Sequence, residues 1–280
     1  MQNKIKILAI GDFHGKLPKK LIKEAKKADF ILSTGDFGGS DELLKIIFKY
    51  FYEDWWEKVG NKKAKKLILE DYNSGKKIIN KLNNLKKQVY TVHGNWDFEK
   101  IKHKERTAGL KIKRYSELMK KMKNLHFFRK RVVDVEGLKV YFFGGMVTAS
   151  VYLKEKIFDK KKINKFKKQH EKLRRQLFKK GRKGIDIFLS HYPPYGYFDV
   201  VKYKGENPMN GKHIGFKPYT EFIRKFQPRV FICGHMHEYQ GMKKLGKTLI
   251  ISTGSAKQGK AAWIEYPCEV KSKIKVRFVR

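Results

Sequence analysis

Short apolar runs alternate with helical stretches along the chain. Six of the runs have the near-continuous apolar character of strands that are buried on both faces. They span residues 4–11, 29–35, 88–94, 138–145, 185–191 and 229–235. Because helical segments separate these runs, the pattern predicts an α/β protein whose sheet is covered by helices. Three further runs follow Gly241, at residues 247–255, 261–266 and 273–279, and we expect them to form a second sheet.

Two longer helical segments interrupt this rhythm, at about 40–87 and 154–184. The first begins with Ser40 and two acidic residues, which is typical of a helix N-terminus. Its apolar positions at helical spacing are Leu44, Ile47, Phe48, Phe51 and Trp55. The apolar positions of the second segment are Ile157, Ile163, Phe166, Leu173 and Leu177, and its many lysines predict a solvated face. Neither a repeat nor a Pro- or Ser-rich linker divides the chain, so we expect residues 1–280 to form one domain.

Composition narrows the class of protein. The chain has 280 residues, 41% of them hydrophobic, which is enough for a large core. Its first apolar run has the length of a buried strand, too short for a signal peptide or a membrane span, which predicts a soluble cytoplasmic protein without a membrane partner. Cys233 and Cys268 have no CxxC spacing. They indicate neither a disulfide framework nor a thiolate zinc site.

The charge is extreme, with 66 Lys+Arg against 27 Asp+Glu and a formal net charge of +39. Such a surface attracts polyanions and favours nucleic acid as a partner without specifying a base sequence. The excess is mainly lysine and is spread along the chain, so a lysine-rich proteome explains it equally well. Both interpretations stay open, and no pattern indicates an oligomeric state.

Potential metal ligands follow five of the six predicted strands. They are Asp12, His14, Asp36, Asn95, His191, His235 and His237. In an extended segment, residues two apart point to the same side, so we expect His235 and His237 to reach one site together. Asp12 and His14 repeat that spacing. Each group alone could be an ordinary polar strand end, but their joint occurrence favours a metal site.

The mixture of carboxylate, imidazole and amide oxygen suits divalent Mn, Fe, Zn or Ni. Seven ligands exceed the needs of one ion. Two ions about 3.5–4 Å apart that share a carboxylate can stabilise both the attacking and the leaving oxygen of an in-line displacement at phosphorus. The set therefore predicts a dinuclear centre for phosphate-ester chemistry.

The order of these motifs, D-x-H, G-D, G-N-x-D, H and G-H-x-H, resembles the calcineurin-like metallophosphoesterase superfamily over roughly residues 5 to 255. The resemblance implies a sandwich of two mixed sheets flanked by helices. It also implies that Asp12, His14 and His237 bind one ion, and that Asp36 bridges to the second. By the same resemblance, the ligands of the second ion are Asn95, His191 and His235.

A closer resemblance is to the Icc-related branch of predicted phosphoesterases, which includes the brain protein 239 group. It rests on "SHYPPYGYFD" at 190–199, on the stretch 211–238 that ends in "GHMHE", and on "STGSA" at 252–256. Similar motifs follow one another in the same order in that branch.

One position departs from the superfamily pattern. Many members have a histidine after G-N that protonates the leaving oxygen, and Trp96 stands there in this chain. An indole N–H donates a hydrogen bond but cannot deliver a proton. General-acid help, often worth ~10²–10⁴ in rate, is then missing, and good leaving groups are favoured. His213 is a candidate for a contact with the substrate phosphate or for a structural role. Asp97 could orient a ligand or bind loop backbone, and the structural role is favoured.

These observations predict a dinuclear metal-dependent phosphoesterase in which a metal-bridging hydroxide attacks phosphorus. Asp36, Asn95 and His191 would position the ions, with Mn preferred over Fe, Zn or Ni. A phosphodiesterase is favoured over a monoesterase by the resemblance and by the basic surface, and the substrate could be a nucleotide or nucleic acid. The alternatives are a nucleic-acid-binding protein with a weak or vestigial metal site, and a metal-dependent nuclease.

Overall fold

A computed structural model describes residues 4–51, 53–99, 101, 107–149, 151–154, 160–181, 184–204, 207, 209–269 and 272–280. Its strands are β1 (Lys4–Ile10), β2 (Phe30–Ser33), β3 (Gln88–Thr91), β4 (Leu125–Phe127), β5 (Arg131–Val135), β6 (Leu138–Phe143), β7 (Ile187–Ser190), β8 (Val230–Cys233), β9 (Gly241–Leu245), β10 (Thr248–Ser252), β11 (Ala261–Pro267) and β12 (Lys275–Val279). Its helices are α1 (Lys19–Ala25), α2 (Asp41–Lys49), α3 (Trp55–Lys58), α4 (Asn61–Asn83), α5 (Tyr115–Met119), α6 (Val151–Lys154), α7 (Lys160–Lys179) and α8 (Lys217–Phe226).

The strands form two six-stranded sheets. Sheet A has the order β12-β11-β1-β2-β3-β4, and sheet B has the order β5-β6-β7-β8-β10-β9. In sheet A, β1 to β4 are parallel and the antiparallel strands β11 and β12 lie on one side. In sheet B, a parallel centre is flanked by the antiparallel edge strands β5 and β9. The predicted pair of mixed sheets is therefore confirmed. The carboxyl ends of β1, β2 and β3 lie at one edge of sheet A, and those of β6, β7 and β8 share an edge of sheet B.

Three apolar layers hold the fold together. Alternate residues of β1 face opposite sides, so that Ile7 and Ala9 pack between the sheets while Leu8 and Ile10 pack under helices. The outer face of sheet A is covered by α1 to α5, and that of sheet B by α7 and α8. Each fully buried Leu, Ile or Phe contributes roughly 1.5–3 kcal/mol. This burial on both faces explains why the central strands are almost continuously apolar.

The pairing of the last strands differs from the prediction. The runs after Gly241 do not form a sheet of their own, because β10 pairs with β8 in sheet B while β11 pairs with β1 and β12 in sheet A. The six earlier runs are likewise divided, three to each sheet. Apolar periodicity identifies a strand but carries no information about its partner. Three strands with shorter or more polar sequences, β4, β5 and β9, were not predicted.

Both predicted helical segments are confirmed. The first contains α2, α3 and α4, and Ser40 caps α2 by accepting a hydrogen bond from the N–H of Leu43 at 3.2 Å. The predicted apolar positions of α2 are only half-buried, because Leu43 faces the core instead. In α7, Leu173 and Leu177 are buried and the lysines are exposed, as expected, whereas Ile157 lies outside the described residues. Within the described part of the chain, none of the helices has the length and apolar character that crossing a membrane requires.

Candidate metal centre

The seven predicted ligands come together where strands of both sheets end. β1, β2 and β3 end at residues 10, 33 and 91, and β7 and β8 end at residues 190 and 233. The ligands follow within a few residues of these ends. Six of them form two groups of three, and within each group the nitrogen and oxygen atoms lie within 4.8 Å of one another. We call Asp12, His14 and His237 the outer triad. Asp36, His191 and His235 form the inner triad.

The outer triad converges on a point that solvent can reach. The Nε2 atoms of His14 and His237 lie 3.0 Å apart, and Oδ1 of Asp12 is 3.4 Å from Nε2 of His237. The side chains of His14 and His237 are 15% and 37% exposed, whereas that of Asp12 is 1% exposed. Three donor atoms therefore face a common space with one open side.

The inner triad is more enclosed. Nε2 of His191 lies 3.1 Å from Nδ1 of His235 and 2.8 Å from Oδ1 of Asn95. The His191 side chain is fully buried and that of Asp36 is 3% exposed. The ring of Tyr192 covers His235 with 3.9 Å between ring centroids. Asn95 thus adds an amide oxygen to the inner triad.

Asp36 lies between the two triads. Its Oδ2 atom is 3.3 Å from Nε2 of His191 and 3.8 Å from Nε2 of His14. Its Oδ1 atom accepts a hydrogen bond from the main-chain N–H of Trp96 at 2.8 Å. One oxygen is therefore held by the backbone while the other faces histidines of both triads.

Four of the ligands have a left-handed backbone conformation. The φ angles are 54° at Asp12, 41° at His14, 58° at Asp36 and 68° at His235. Non-glycine residues rarely adopt this region, and strained conformations of this kind cluster at functional sites. The strain shows that tertiary contacts, and not local preference, set these side-chain directions.

This backbone explains why the expectation for His235 and His237 is wrong. β8 ends at Cys233, so the two histidines do not lie in an extended segment. The positive φ of His235 turns it towards His191, whereas His237 lies with Asp12 and His14. Residues two apart on a strand would share a side, but here they belong to different triads. Asp12 and His14 do share a triad, from a loop rather than a strand.

Glycines provide the space that the ligands occupy. A methyl group at Gly94 would overlap the carboxylate of Asp36, and one at Gly234 would overlap that of Asp12. The strand ends can approach each other this closely only because these residues have no side chain.

Asp97 holds the loops of the inner triad, in agreement with its predicted role. Its carboxylate accepts hydrogen bonds from the N–H groups of Asp36, Phe37 and Gly94 at 2.8–2.9 Å. Burial, together with the nearby Asp36 carboxylate, raises the pKa of Asp97 to about 7. Asp97 is a buried brace whose bonds join the end of β2 to the end of β3.

The protonation states suit divalent cations. Burial lowers the pKa of His14 to about 3 and also lowers the pKa values of His191 and His235. Burial alone would raise the pKa of Asp12, but the hydrogen bond with His237 and the charges of the neighbouring histidines together outweigh it and lower that pKa. Burial would likewise lower the pKa of His237, but its hydrogen bond with Asp12 and the nearby acidic charges together raise it. Anionic carboxylates beside mainly neutral imidazoles are the donors that divalent transition metals use. The residues present therefore fit the predicted pair of ions.

The indole N–H of Trp96 is directed at another protein side chain and not at a substrate. Nε1 of Trp96 donates to both carboxylate oxygens of Asp71, each at 3.1 Å. Asp71 belongs to α4 and is 2% exposed. Sequence reasoning missed it, although Leu67, Asp71 and Ile78 form part of one buried helical stripe in which the acid is conspicuous. His93, another nearby histidine, packs against Phe127 with 5.6 Å between ring centroids.

His213 lies in the loop before α8, and its chain neighbour packs beside the segment that carries His235 and His237. Its Nδ1 atom is 2.9 Å from Oδ1 of the buried Asp199, its ring contacts Tyr195 at 5.0 Å, and its side chain is 44% exposed. The next residue, Ile214, packs in a small apolar cluster with Met236, which separates His235 from His237 along the chain. Asp199, which was not singled out from the sequence, thus orients a half-exposed histidine.

Comparisons with known proteins agree with this architecture. An uncharacterised protein of Methanocaldococcus jannaschii is 26% identical over 252 residues, which cover 89% of this chain and 87% of that protein. Human metallophosphoesterase domain-containing protein 1 is 31% identical over 70 residues, which are 25% of this chain and 20% of that protein. These relatives share sequence with the chain to different extents, the first over most of its length.

Two solved structures share the fold. A dimetal phosphatase from Danio rerio superimposes with a TM-score of 0.54 at 9% identity, covering 98% of this chain and 96% of that one. TT1561 of Thermus thermophilus superimposes with a TM-score of 0.51 at 15% identity, covering 99% and 100%.

A family model described as calcineurin-like phosphoesterase matches residues 5–239. The match includes every ligand of both triads and supports a metal-dependent hydrolase of phosphate esters. The chain belongs to the calcineurin-like phosphoesterase family.

Proposed function

We propose that this protein is a dinuclear metal-dependent phosphodiesterase. The observation that carries the proposal is the position of Asp36, whose Oδ2 atom faces histidines of both triads. Two divalent ions would share Asp36, and the outer triad would hold one of them. Asn95 and the two histidines of the inner triad would hold the other. Manganese is the preferred ion, with Fe, Zn or Ni as alternatives.

Two divalent ions, when bound, supply Lewis acidity at the phosphate and lower the pKa of water at the site. The chain's own residues fix where this happens. The carbonyl oxygen of Thr34 lies 2.9 Å from Nδ1 of His191 and accepts a hydrogen bond from Nδ1–H, which leaves the lone pair of Nε2 directed at the centre. The Trp96 N–H fixes one oxygen of Asp36, so the other is presented in one orientation.

The preference for diesters rests on the family resemblance and on the strongly basic chain, and the available proton donors restrict the leaving group. Since the Trp96 indole cannot deliver a proton and its N–H is directed at Asp71, esters with good leaving groups are favoured. His213, held by Asp199, contacts the substrate phosphate. Residues 1–280 act as one domain, since both sheets contribute to the apolar layer between them.

The test compares Mn²⁺-dependent hydrolysis of bis-p-nitrophenyl phosphate and p-nitrophenyl phosphate by protein that has been stripped of metal and reconstituted. The wild-type protein is expected to hydrolyse the diester faster, and Asp36→Asn to abolish hydrolysis of both. Asp134→Asn, on the exposed edge strand β5, is the matched control and should keep wild-type rates. Hydrolysis by Asp36→Asn at the wild-type rate would contradict the bridging role.

A nucleic-acid-binding function is the second candidate, and the exposed lysines of α7 favour it. Binding of single-stranded RNA, measured against salt concentration, tests it. If binding is the function and the metal centre is vestigial, the wild-type protein will bind RNA with a steep salt dependence and hydrolyse neither ester. Hydrolysis that Asp36→Asn abolishes, with RNA binding unchanged, would support the enzyme.

A further inference from the structure

Helix α4 reaches the metal centre at two places. Asp71 of α4 accepts the indole N–H of Trp96, in the loop after β3. One helical turn on, Oγ of Ser74 accepts the N–H of Gly39 at 3.0 Å, in the loop after β2. A methyl group at Gly39 would overlap His14, so this second loop lies directly against the outer triad. A helix that the sequence marks only as an insertion is thus bonded to both loops.

Trp96 connects Asp71 to the ligands. Its main-chain N–H donates to Oδ1 of Asp36 at 2.8 Å. Its indole ring meets the ring of His14 edge-on, with 6.3 Å between ring centroids and 71° between ring planes. Trp96 therefore contacts Asp36 through its main-chain N–H and His14 through its indole ring, while Asp71 holds its indole N–H.

The Asp71–Trp96 contact is well suited to fix a direction. Both carboxylate oxygens of Asp71 lie 3.1 Å from Nε1 of Trp96. Because Asp71 is only 2% exposed, water competes little for this hydrogen bond. A hydrogen bond to a charged group is stronger than one between neutral groups. Rotation of the indole would break this bond and remove the edge contact with His14.

We propose that Asp71 is a positioning residue of the metal centre, which acts through Trp96 to orient Asp36 and His14 for metal binding. The inference rests on the proposed function to the extent that the two triads hold divalent ions. Residues behind metal ligands typically contribute about 10–100-fold to metal affinity. Asp71 touches neither ion nor substrate. It therefore affects metal affinity only through the orientation of the Trp96 side chain.

The experiment is a calorimetric titration of metal-stripped protein with Mn²⁺, which needs no turnover. Asp71→Leu, which has no acceptor for the indole N–H, and Trp96→Phe are each expected to weaken Mn²⁺ binding by about 10-fold or more. Because the two residues act through one hydrogen bond, the double variant should bind Mn²⁺ no more weakly than the single variant with the lower affinity. Glu70→Gln, an exposed neighbour on the same helix, is the matched control and should bind Mn²⁺ as the wild type does.

A further variant separates positioning from packing. Trp96→His loses most of the indole volume but keeps a ring N–H that can donate to Asp71, whereas Trp96→Phe keeps more apolar volume and has no donor. Positioning through the bond predicts that Trp96→His binds Mn²⁺ more tightly than Trp96→Phe. A purely structural role predicts the reverse order, and that result would overturn the inference.

The other outcomes of the titration are equally decisive. Wild-type affinity in Asp71→Leu, or additive losses in the double variant, would contradict the inference. If Asp71→Leu fails to fold by circular dichroism, the order of Mn²⁺ affinities of the two Trp96 variants decides between positioning and packing. A wild-type protein that binds two Mn²⁺ but hydrolyses no ester would contradict the proposed function. The Mn²⁺ affinities of the variants would still decide whether Asp71 is a positioning residue. A wild-type protein that binds no Mn²⁺ would overturn both.

Discussion

The outer and inner triads contain the same residue types but are held in different ways. In the outer triad, His237 is 37% exposed and the ligands come from loops beyond β1 and β8. In the inner triad, His191 follows β7 directly, is fully buried, and is bonded through Nδ1 to Thr34 O. The inner triad is thus held by a hydrogen bond to the main chain, whereas the outer triad is open to solvent at His237.

Each triad is nevertheless braced by the other. The carboxylate of Asp12 accepts the main-chain N–H of His235, which is an inner ligand, at 3.0 Å. Asp36 accepts from Trp96, whose ring lies against the outer ligand His14. The difference between the triads is therefore one of access and rigidity, and we expect the inner site to bind its ion more tightly and the outer site to exchange its ion more readily.

The largest expected contrast is between the removal of an inner and an outer ligand. His191→Ala is expected to lower Mn²⁺-dependent diester hydrolysis by more than about 100-fold, and His237→Ala by about 10–100-fold, since only the first loss empties the enclosed site. Rates at saturating Mn²⁺ measure this contrast. Thermal unfolding of both variants controls for misfolding, and equal losses in two folded variants would remove the distinction between the triads.

The braces should differ in their contribution to the free energy of unfolding. Asp97→Asn leaves at least one of three buried N–H donors without an acceptor and should destabilise the fold by about 1–3 kcal/mol. Ser255 Oγ donates to the carbonyl of Asp12 at 2.8 Å, and Ser255→Ala should cost only about 0.5–1.5 kcal/mol. Urea unfolding of the metal-stripped proteins gives both values. A smaller effect for Asp97→Asn than for Ser255→Ala would show that the inner loops are not the more rigid ones.

Loss of metal to a chelator should occur in two phases. Solvent reaches the outer triad directly, whereas release from the inner triad requires local opening, so the second phase should be about 10-fold slower or more. Stopped-flow mixing of the dimanganese protein with a coloured chelator measures both rates. His237→Ala should lack the fast phase, and a single phase of full amplitude in the wild type would show that both sites have the same access.

The smallest expected effect concerns His213. If His213 contacts the substrate phosphate as proposed, His213→Gln should raise KM for the diester by about 2–10-fold, the equivalent of one hydrogen bond, with kcat nearly unchanged. Steady-state kinetics measure this split. His126→Gln, on the edge strand β4, is the control. An unchanged KM in His213→Gln would remove His213 from the substrate path.

The sequence predicted which side chains lie together better than it predicted their geometry. Buried parallel strands have a recognisable apolar pattern, and Asp, Asn and His at several such ends are rare enough together to indicate a metal site. The division of His235 and His237 between triads could not follow from spacing, because it depends on a left-handed backbone that tertiary contacts impose. Only the family resemblance implied that division.

Contacts between distant segments were equally invisible in the sequence. β11 joins sheet A because it pairs along the whole of β1, from Lys4 opposite Pro267 to Ala9 opposite Ala262, and periodicity alone cannot identify such a partner. Asp71 looks like one acid in a lysine-rich helix until the fold brings Trp96 to it. Both cases show that strand and helix patterns are local, whereas sheet order and the positioning of ligands depend on which segments meet.

The most direct test of the central claim is a titration of metal-stripped wild-type protein with Mn²⁺, in which bound metal and hydrolysis of bis-p-nitrophenyl phosphate are followed together. Two adjacent sites that share Asp36 predict two ions bound per chain, with hydrolysis appearing only as the second ion binds. Full hydrolysis with one bound ion, or binding of a second ion without any gain in rate, would contradict the dinuclear account.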